Sequence, residues 1–273
     1  MAALAPDTGP FHGLVSSPDP ARVEEYLLGG GHSFGVDRTR ARRLLDEDPH
    51  LSHLVWVRRR WLLRATRYLA VHHAPRLMVD LSTGVPTLAP HQELAADEEL
   101  AAQGTHVVYV NADPVTHGVA RLTCESLWCE AVLGDPCMAP DAAWDAVMAT
   151  RLPRAGRDEE PVAVLATGLA DHADDMAELE RVLARWRNLV PPGSHLAVAH
   201  RYTDAHRGRD AARDLHTAVT GAGWAPVPAE SLPGDVRRAV CDPSSHPTVG
   251  EVPVCLAVSP PAVEGGGQRA AAP

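Results

Sequence analysis

An α/β protein with a mostly parallel sheet is what this chain predicts, and three observations carry the prediction. From Pro75 onward, short apolar runs of strand length alternate with helical patterns at short intervals. Several of those runs are apolar on both faces, as strands covered on both sides must be. Ahead of them, from Ala21 to about Ala74, the periodicity is helical only.

Residues 1 to about 18 are rich in Pro, Ala and Gly and read as a flexible arm. "ARVEEYLLGG" is a short amphipathic helix stopped by Gly29, Gly30 and Gly31. "VDRTRARRLLDED" is a second helix. "LVWVRRRWLLRATRYLAVHH" is a third, with Val57, Trp61, Arg64 and Tyr68 at helical spacing. "RLMVDLS" then reads as a buried strand and "HQELAADEELAAQG" as a helix ending at Gly104. "THVVYVNAD" and "PVTHGVARLTCESL" repeat the strand–helix unit, and "CEAVLGD" is a third strand. "PVAVLATGL" is a fourth, followed by the helix "DDMAELERVLARWRNLV" and a fifth strand, "SHLAVAHRY". "GRDAARDLHTAVTGAG" is helical, and "EVPVCLAVS" is the last strand. The domain reading is an arm over 1–18, a helical lid over 19–74, a sheet domain over 75–260 and a flexible tail over 261–273.

Composition narrows the function classes. Apolar residues make up 45% of the chain, enough for a globular core. The chain has no Lys, which removes lysine nucleophiles and Schiff-base chemistry. A net charge of −10 argues against nucleic acid as a partner. No apolar run approaches the ~20 residues of a membrane span, and the N-terminus has no signal-peptide pattern, so the expected location is the cytoplasm. Five cysteines without a C-x-x-C pair read as reduced thiols, and the histidines show no compact metal-ligand spacing, so no metal is expected.

In an open parallel sheet, ligands bind beyond the carboxyl ends of the strands, where strand order reverses. The stretch "MVDLSTGVPT" ends a strand on Asp80 and turns at Gly84, which lets backbone approach a ligand closely. The next strand ends "YVNADP". Asn111 stands where a nucleotide site commonly has an acid, and an amide grips a diol with one oxygen only. Asp113, before Pro114, is either a second acid for that site or the cap of the next helix.

Together these segments resemble an actinobacterial family of S-adenosylmethionine-dependent methyltransferase-like proteins, over most of residues 18–258. The matching stretches are "YLLGGGHSFGVDR", "RRRWLLRATRYLA", "DLSTGVPT", "VVYVNADP" and "GSHLAVAH". The resemblance implies a Rossmann-like class I methyltransferase fold: seven strands, the last antiparallel, with the N-terminal helices as a lid. It also implies that Asp80, Ser82, Gly84, Asn111, Asp113, Val132 and Asp135 mark the cofactor site. This chain departs from the family pattern there. Ser82 replaces the first glycine of the loop, Asn111 the ribose acid, and Val132 the adenine acid, leaving Asp135 as the second acid. Gly31, His32 and Ser33 replace the family's "K-D-N" in the lid. If each lost contact costs ~1.5 kcal/mol, three cost ~4.5 kcal/mol, about a thousandfold in affinity.

Three readings follow. In one, the chain keeps the fold without S-adenosylmethionine and closes a small ring in a natural-product substrate, free or carrier-bound, by expelling sulfate or phosphate. Similarity to cofactor-free, aziridine-type ring-forming proteins on this fold suggests that reaction. His32 or Asp80 would be the base, Arg38 or Arg59 the anion clamp, with Asp37, Arg58 and Arg64 nearby and His172 within reach. In the second, Asp113 or Asp135 substitutes and the chain is an S-adenosylmethionine-dependent small-molecule methyltransferase. In the third, it is a non-catalytic stabilising partner in a hetero-oligomer. His200 is expected to support the fold.

Overall fold

The computed structural model describes residues 15–81, 84, 104–124, 129–150, 160–173, 175–199, 208–237 and 254–260. The segment predicted as a helix over 91–104 (apart from Gly104), Ser82, His200, most of the arm and the tail lie outside the described residues.

Three helices open the chain: α1 (Pro20–Leu27), α2 (Gly35–Glu47) and α3 (Leu51–His73). Asp19 caps α1, accepting from the Ala21 and Arg22 amides, and Pro20 fits the first turn. Gly29 ends it at φ 88°, a conformation that a side chain would penalise. Of the four positions picked out along α3, Val57 and Trp61 are buried, while Arg64 and Tyr68 are half-buried. The Trp61 indole donates to the Val236 carbonyl at 2.8 Å.

The sheet follows as β1 (Leu77–Leu81), β2 (His106–Asn111), α4 (Pro114–Thr123), β3 (Cys129–Leu133), α5 (Pro140–Met148) and β4 (Ala163–Ala166). Then come α6 (Leu169–His172), α7 (Met176–Leu189), β5 (His195–Ala199), α8 (Gly208–Gly221), β6 (Ala225–Pro226), α9 (Gly234–Arg237) and β7 (Val254–Val258). Four elements were not legible beforehand: α5, β6 and the four-residue helices α6 and α9. Helix α5 carries Ala143 and Val147 on one buried face, but it is short and starts at Pro140. Strand β6 is only two residues long.

The strands form one seven-stranded sheet in the order β3-β2-β1-β4-β5-β7-β6. All pairs from β3 to β5 are parallel, and β7 is antiparallel to both neighbours. The order reverses between β1 and β4, which puts the switch point, where a crevice is expected, at the carboxyl end of β1. Each sheet face has its own apolar core. One packs Val79, Val108, Val164 and Leu196 against Leu183, Trp186 and Val219. The other packs Met78, Tyr109, Leu165 and Leu256 against Trp61, Leu62 and Leu69 of α3.

One expectation is corrected. Cys124, ending α4, and Cys129, opening β3, form a disulfide with α-carbons 5.2 Å apart, so reduced thiols throughout do not hold. Cys137 and Cys255 are free, and burial pushes each thiol up to about 12.

Candidate functional site

The site is assembled where α1 and α3 meet the ends of β1 and β2. Side chains alternate along a strand, so Asp80 points to the same face as Met78, toward α3. Its register partner on β2 is Tyr109, and Asn111 lies two residues further up on that same face. Asp80, Tyr109 and Asn111 are all buried. Burial raises the Tyr109 phenol well above its ordinary value, the Asp80 charge raises it further, and the Arg59 guanidinium opposes both. An acid, a phenol and a guanidinium therefore share one enclosed space.

Arg59 comes from α3 and is 3% exposed. Its terminal nitrogen pairs with Glu24 of α1 at 3.2 Å, and Arg58 also pairs with Glu24. Arg59 further lines the loop after β1. Gly84 has φ 101°, and a Cβ there would stand 3.3 Å from the Arg59 guanidinium and 3.7 Å from the Ala21 carbonyl oxygen. The glycine that permits close approach is thus packed against α1 and α3 themselves. Among the described residues, two buried donors here have no acceptor: Arg59 Nε and Asn111 Nδ2. An unsatisfied buried donor costs ~1–3 kcal/mol, so each is a position where an acceptor from a bound molecule would be stabilising.

The acids that could stand in for the missing family residues are otherwise engaged. Asp113 caps α4, its Oδ2 accepting from the Thr116 amide at 2.8 Å and the Thr116 hydroxyl at 3.0 Å. Its Oδ1 takes Arg22 Nη1 at 2.5 Å. Asp135 Oδ1 accepts from the Cys137 and Met138 amides, each at 2.9 Å, closing the turn before α5. Val132 is half-buried and packs against the apolar core.

Arg22 was not singled out by the sequence, yet it organises the whole end of the crevice. Only 1% of its side chain is exposed. It bonds Asp37 at 3.0 Å, Asp113, and the Ser17 carbonyl at 2.9 Å, with Phe34 stacked 5.4 Å from its centre. Asp37, expected near the chemistry, is 0% exposed and also accepts from the Asp19 and Phe34 amides. That makes it the anchor of the α1–α2 junction. Burial raises the Asp19 carboxyl, helped by Asp113, while His172 and Arg22 oppose the rise. His172 thus acts on Asp19 through its charge.

The remaining candidates separate. Arg38 donates to the Ser33 carbonyl at 2.5 Å, tying down the loop before α2. His32 lies on that loop, with Nδ1 2.9 Å from Glu25 Oε1. Tyr109, Glu24, Glu25 and Arg22 were all missed. Charges inside "ARVEEYL" read as a solvated face until a partner is known to cover them. Among the described residues, no cluster of three ligand-type side chains is placed to hold a metal. No described helix is long and apolar enough to cross a membrane.

Comparison with known proteins fits this architecture. A family model described as S-adenosyl methyltransferase matches residues 14–224. A methyltransferase candidate from Thermobifida fusca YX has 21% identity and a TM-score of 0.68, over 93% of this chain and 100% of its own. A DUF574 family protein from Streptomyces avermitilis MA-4680 has 20% identity and a TM-score of 0.64, over 90% and 99%. At these identities the likeness shows the fold. No curated protein matches the chain.

Proposed function

We propose, from the premise that the chain belongs to the S-adenosyl methyltransferase family, that its crevice serves an anion-releasing ring closure of a small molecule without S-adenosylmethionine. The observation that carries this reading is the polarity of the site. A ribose needs acceptors for two hydroxyl hydrogens. Here Asn111 replaces the acid, and Asp113 is held by Arg22 and the start of α4. Beside the buried Asp80 carboxylate, the crevice offers two buried donors, Arg59 Nε and Asn111 Nδ2. On this reading the residues present do not fit the adenosine half of the cofactor.

Donors of this kind suit an oxyanion that gathers charge as it departs. A substrate amine loses a proton to a base, and its nitrogen lone pair forms the new N–C bond. The C–O bond to a sulfate or phosphate breaks, and the leaving oxygen keeps the electron pair. Arg59 and Asn111 would meet that oxygen. The enclosed wall formed by α1 and α3 would exclude water that competes with the amine.

Calorimetric titration of the full chain with S-adenosylmethionine and S-adenosylhomocysteine tests the reading. The expected result is no heat of binding up to about millimolar ligand, against a micromolar site for an intact family member. Micromolar binding would overturn it. A second reading, small-molecule methyl transfer, would then hold, and it is favoured by one observation. Gly84 keeps its left-handed conformation just past the buried Asp80, as a close-approach loop requires.

A further inference from the structure

Glu25 and His32 stand apart from the side chains used so far, and they are arranged as a unit. Glu25 is 1% exposed, although it is a carboxylate on a short helix. Both its oxygens accept from the His32 amide, at 3.1 and 3.0 Å, and Oε1 lies 2.9 Å from His32 Nδ1. The imidazole itself is 44% exposed. Gly30 makes the arrangement sterically feasible, because a Cβ there would overlap the Glu25 carboxylate. Of the three consecutive glycines, then, Gly29 ends α1 and Gly30 makes room for an acid.

The chemical consequence follows from the inventory of imidazole. An Nδ1–H held by a carboxylate leaves the Nε2 lone pair directed away from Glu25, on the exposed side of the ring. The carboxylate also stabilises the imidazolium once Nε2 takes a proton. Glu25 stands three residues beyond Arg22, so both lie on one face of α1. That face meets Asp113, the N-cap of α4 just past β2, so α1 carries the Glu25–His32 pair at the same end of the sheet as that ion pair.

We propose that Glu25 and His32 form an acid–base dyad in which His32 Nε2 is the proton acceptor and Glu25 is its positioning residue. This assignment rests on the ring-closure reading for its substrate. The amine proton passes to Nε2 as the N–C bond forms and the C–O bond breaks. The imidazolium then releases it to solvent through its exposed face.

The test needs no ligand, so its outcome is independent of whether S-adenosylmethionine binds. Nitrogen-15 NMR of the full chain reads the His32 tautomer, and diethyl pyrocarbonate labelling with mass spectrometry reads Nε2 reactivity. Expected are an Nδ1–H tautomer and labelling of His32 at least several-fold faster than of exposed His50. Glu25→Gln, which can still accept from Nδ1–H, should keep the tautomer. Glu25→Ala and Gly30→Ala should lose both tautomer and reactivity. His32→Ala should leave the melting temperature within about 1 °C, because the backbone contact to Glu25 persists. A His32 tautomer unchanged in Glu25→Ala would overturn the proposal. So would a melting temperature lowered by several degrees in His32→Ala, which would make the ring a structural plug.

Discussion

Trp186 in the last turn of α7 and Arg22 in the first turn of α1 are each at most 1% exposed, yet they hold their surroundings by different means. Trp186 stacks edge-on to Trp144 at 6.2 Å, gives its one N–H to the Pro136 carbonyl at 2.9 Å, and otherwise touches apolar side chains. Arg22 is surrounded by Asp37, Asp113 and the Ser17 carbonyl. The apolar cluster of α1 and α2 (Val23, Leu27, Leu28, Ala41 with Leu51 and Val55) is small and separate from both sheet cores. What joins these helices to the sheet is charge. Apolar burial is non-directional and tolerates small shifts. A buried ion pair holds only in one geometry and, once broken, leaves uncompensated charge. The sheet is therefore the rigid half, and the N-terminal helices are latched onto it.

Removing the largest apolar anchor should have the greatest effect. Trp186→Ala is expected to cost ~3–5 kcal/mol in global stability, seen as a lower denaturation midpoint with every probe moving together. A transition split between probes would show that the two faces of the sheet do not unfold together.

Arg22→Met comes next and should act locally. Leaving the buried Asp37 and the partly buried Asp113 without their cation costs ~3 kcal/mol. Opening α1 and α2 relieves that cost without unfolding the sheet. Hydrogen exchange across residues 19–47 should accelerate by at least tenfold, with β1, β4 and β5 still protected. Equal acceleration in both regions would mean that the two halves are not separable.

At the opposite end of the strands, His195 on β5 and His73 at the end of α3 stack at 3.9 Å. Burial and then His73 hold the His195 imidazole down at about 4, and burial followed by His72 lowers His73. The unfolded chain, with histidine near 6.5, therefore binds more protons between those values. Stability from this pair is complete above about pH 6.5 and is lost as pH falls toward 4. Allowing for solvent at the half-buried ring, the loss should be ~1–2 kcal/mol. His195→Phe should flatten that part of the pH–stability curve, and an unchanged curve would count against the stack.

The smallest effect belongs to Asp19. Its raised carboxyl means that ionisation works against the fold as pH rises, because of burial and Asp113. Asparagine caps a helix as well as aspartate does. Asp19→Asn should therefore leave exchange over 19–47 unchanged or slightly slower, within about 0.5 kcal/mol. Faster exchange would show that the charge itself supports the latch.

The architecture was legible in the sequence because it rests on local and repetitive signals. Apolar runs such as "LMVDL" and "HLAVA" have strand length, and the helices between them carry a 3.6-residue period, so alternation and parallel pairing followed. That Asp80 stands at the end of β1, with Gly84 just past it, also followed from the strand pattern. Short elements were missed because two residues of β6 carry no period. The roles within the site were a matter of tertiary structure. The cap at Asp113 was one of two readings the sequence offered. Asp113 as latch and Asp37 as buried anchor depend on Arg22, 91 and 15 residues away. Glu25 behind His32 depends on how the glycine loop folds back. A carboxylate in a sequence has a charge and a spacing; whether it meets substrate, a helix end or an arginine is decided by which chain segments bury it.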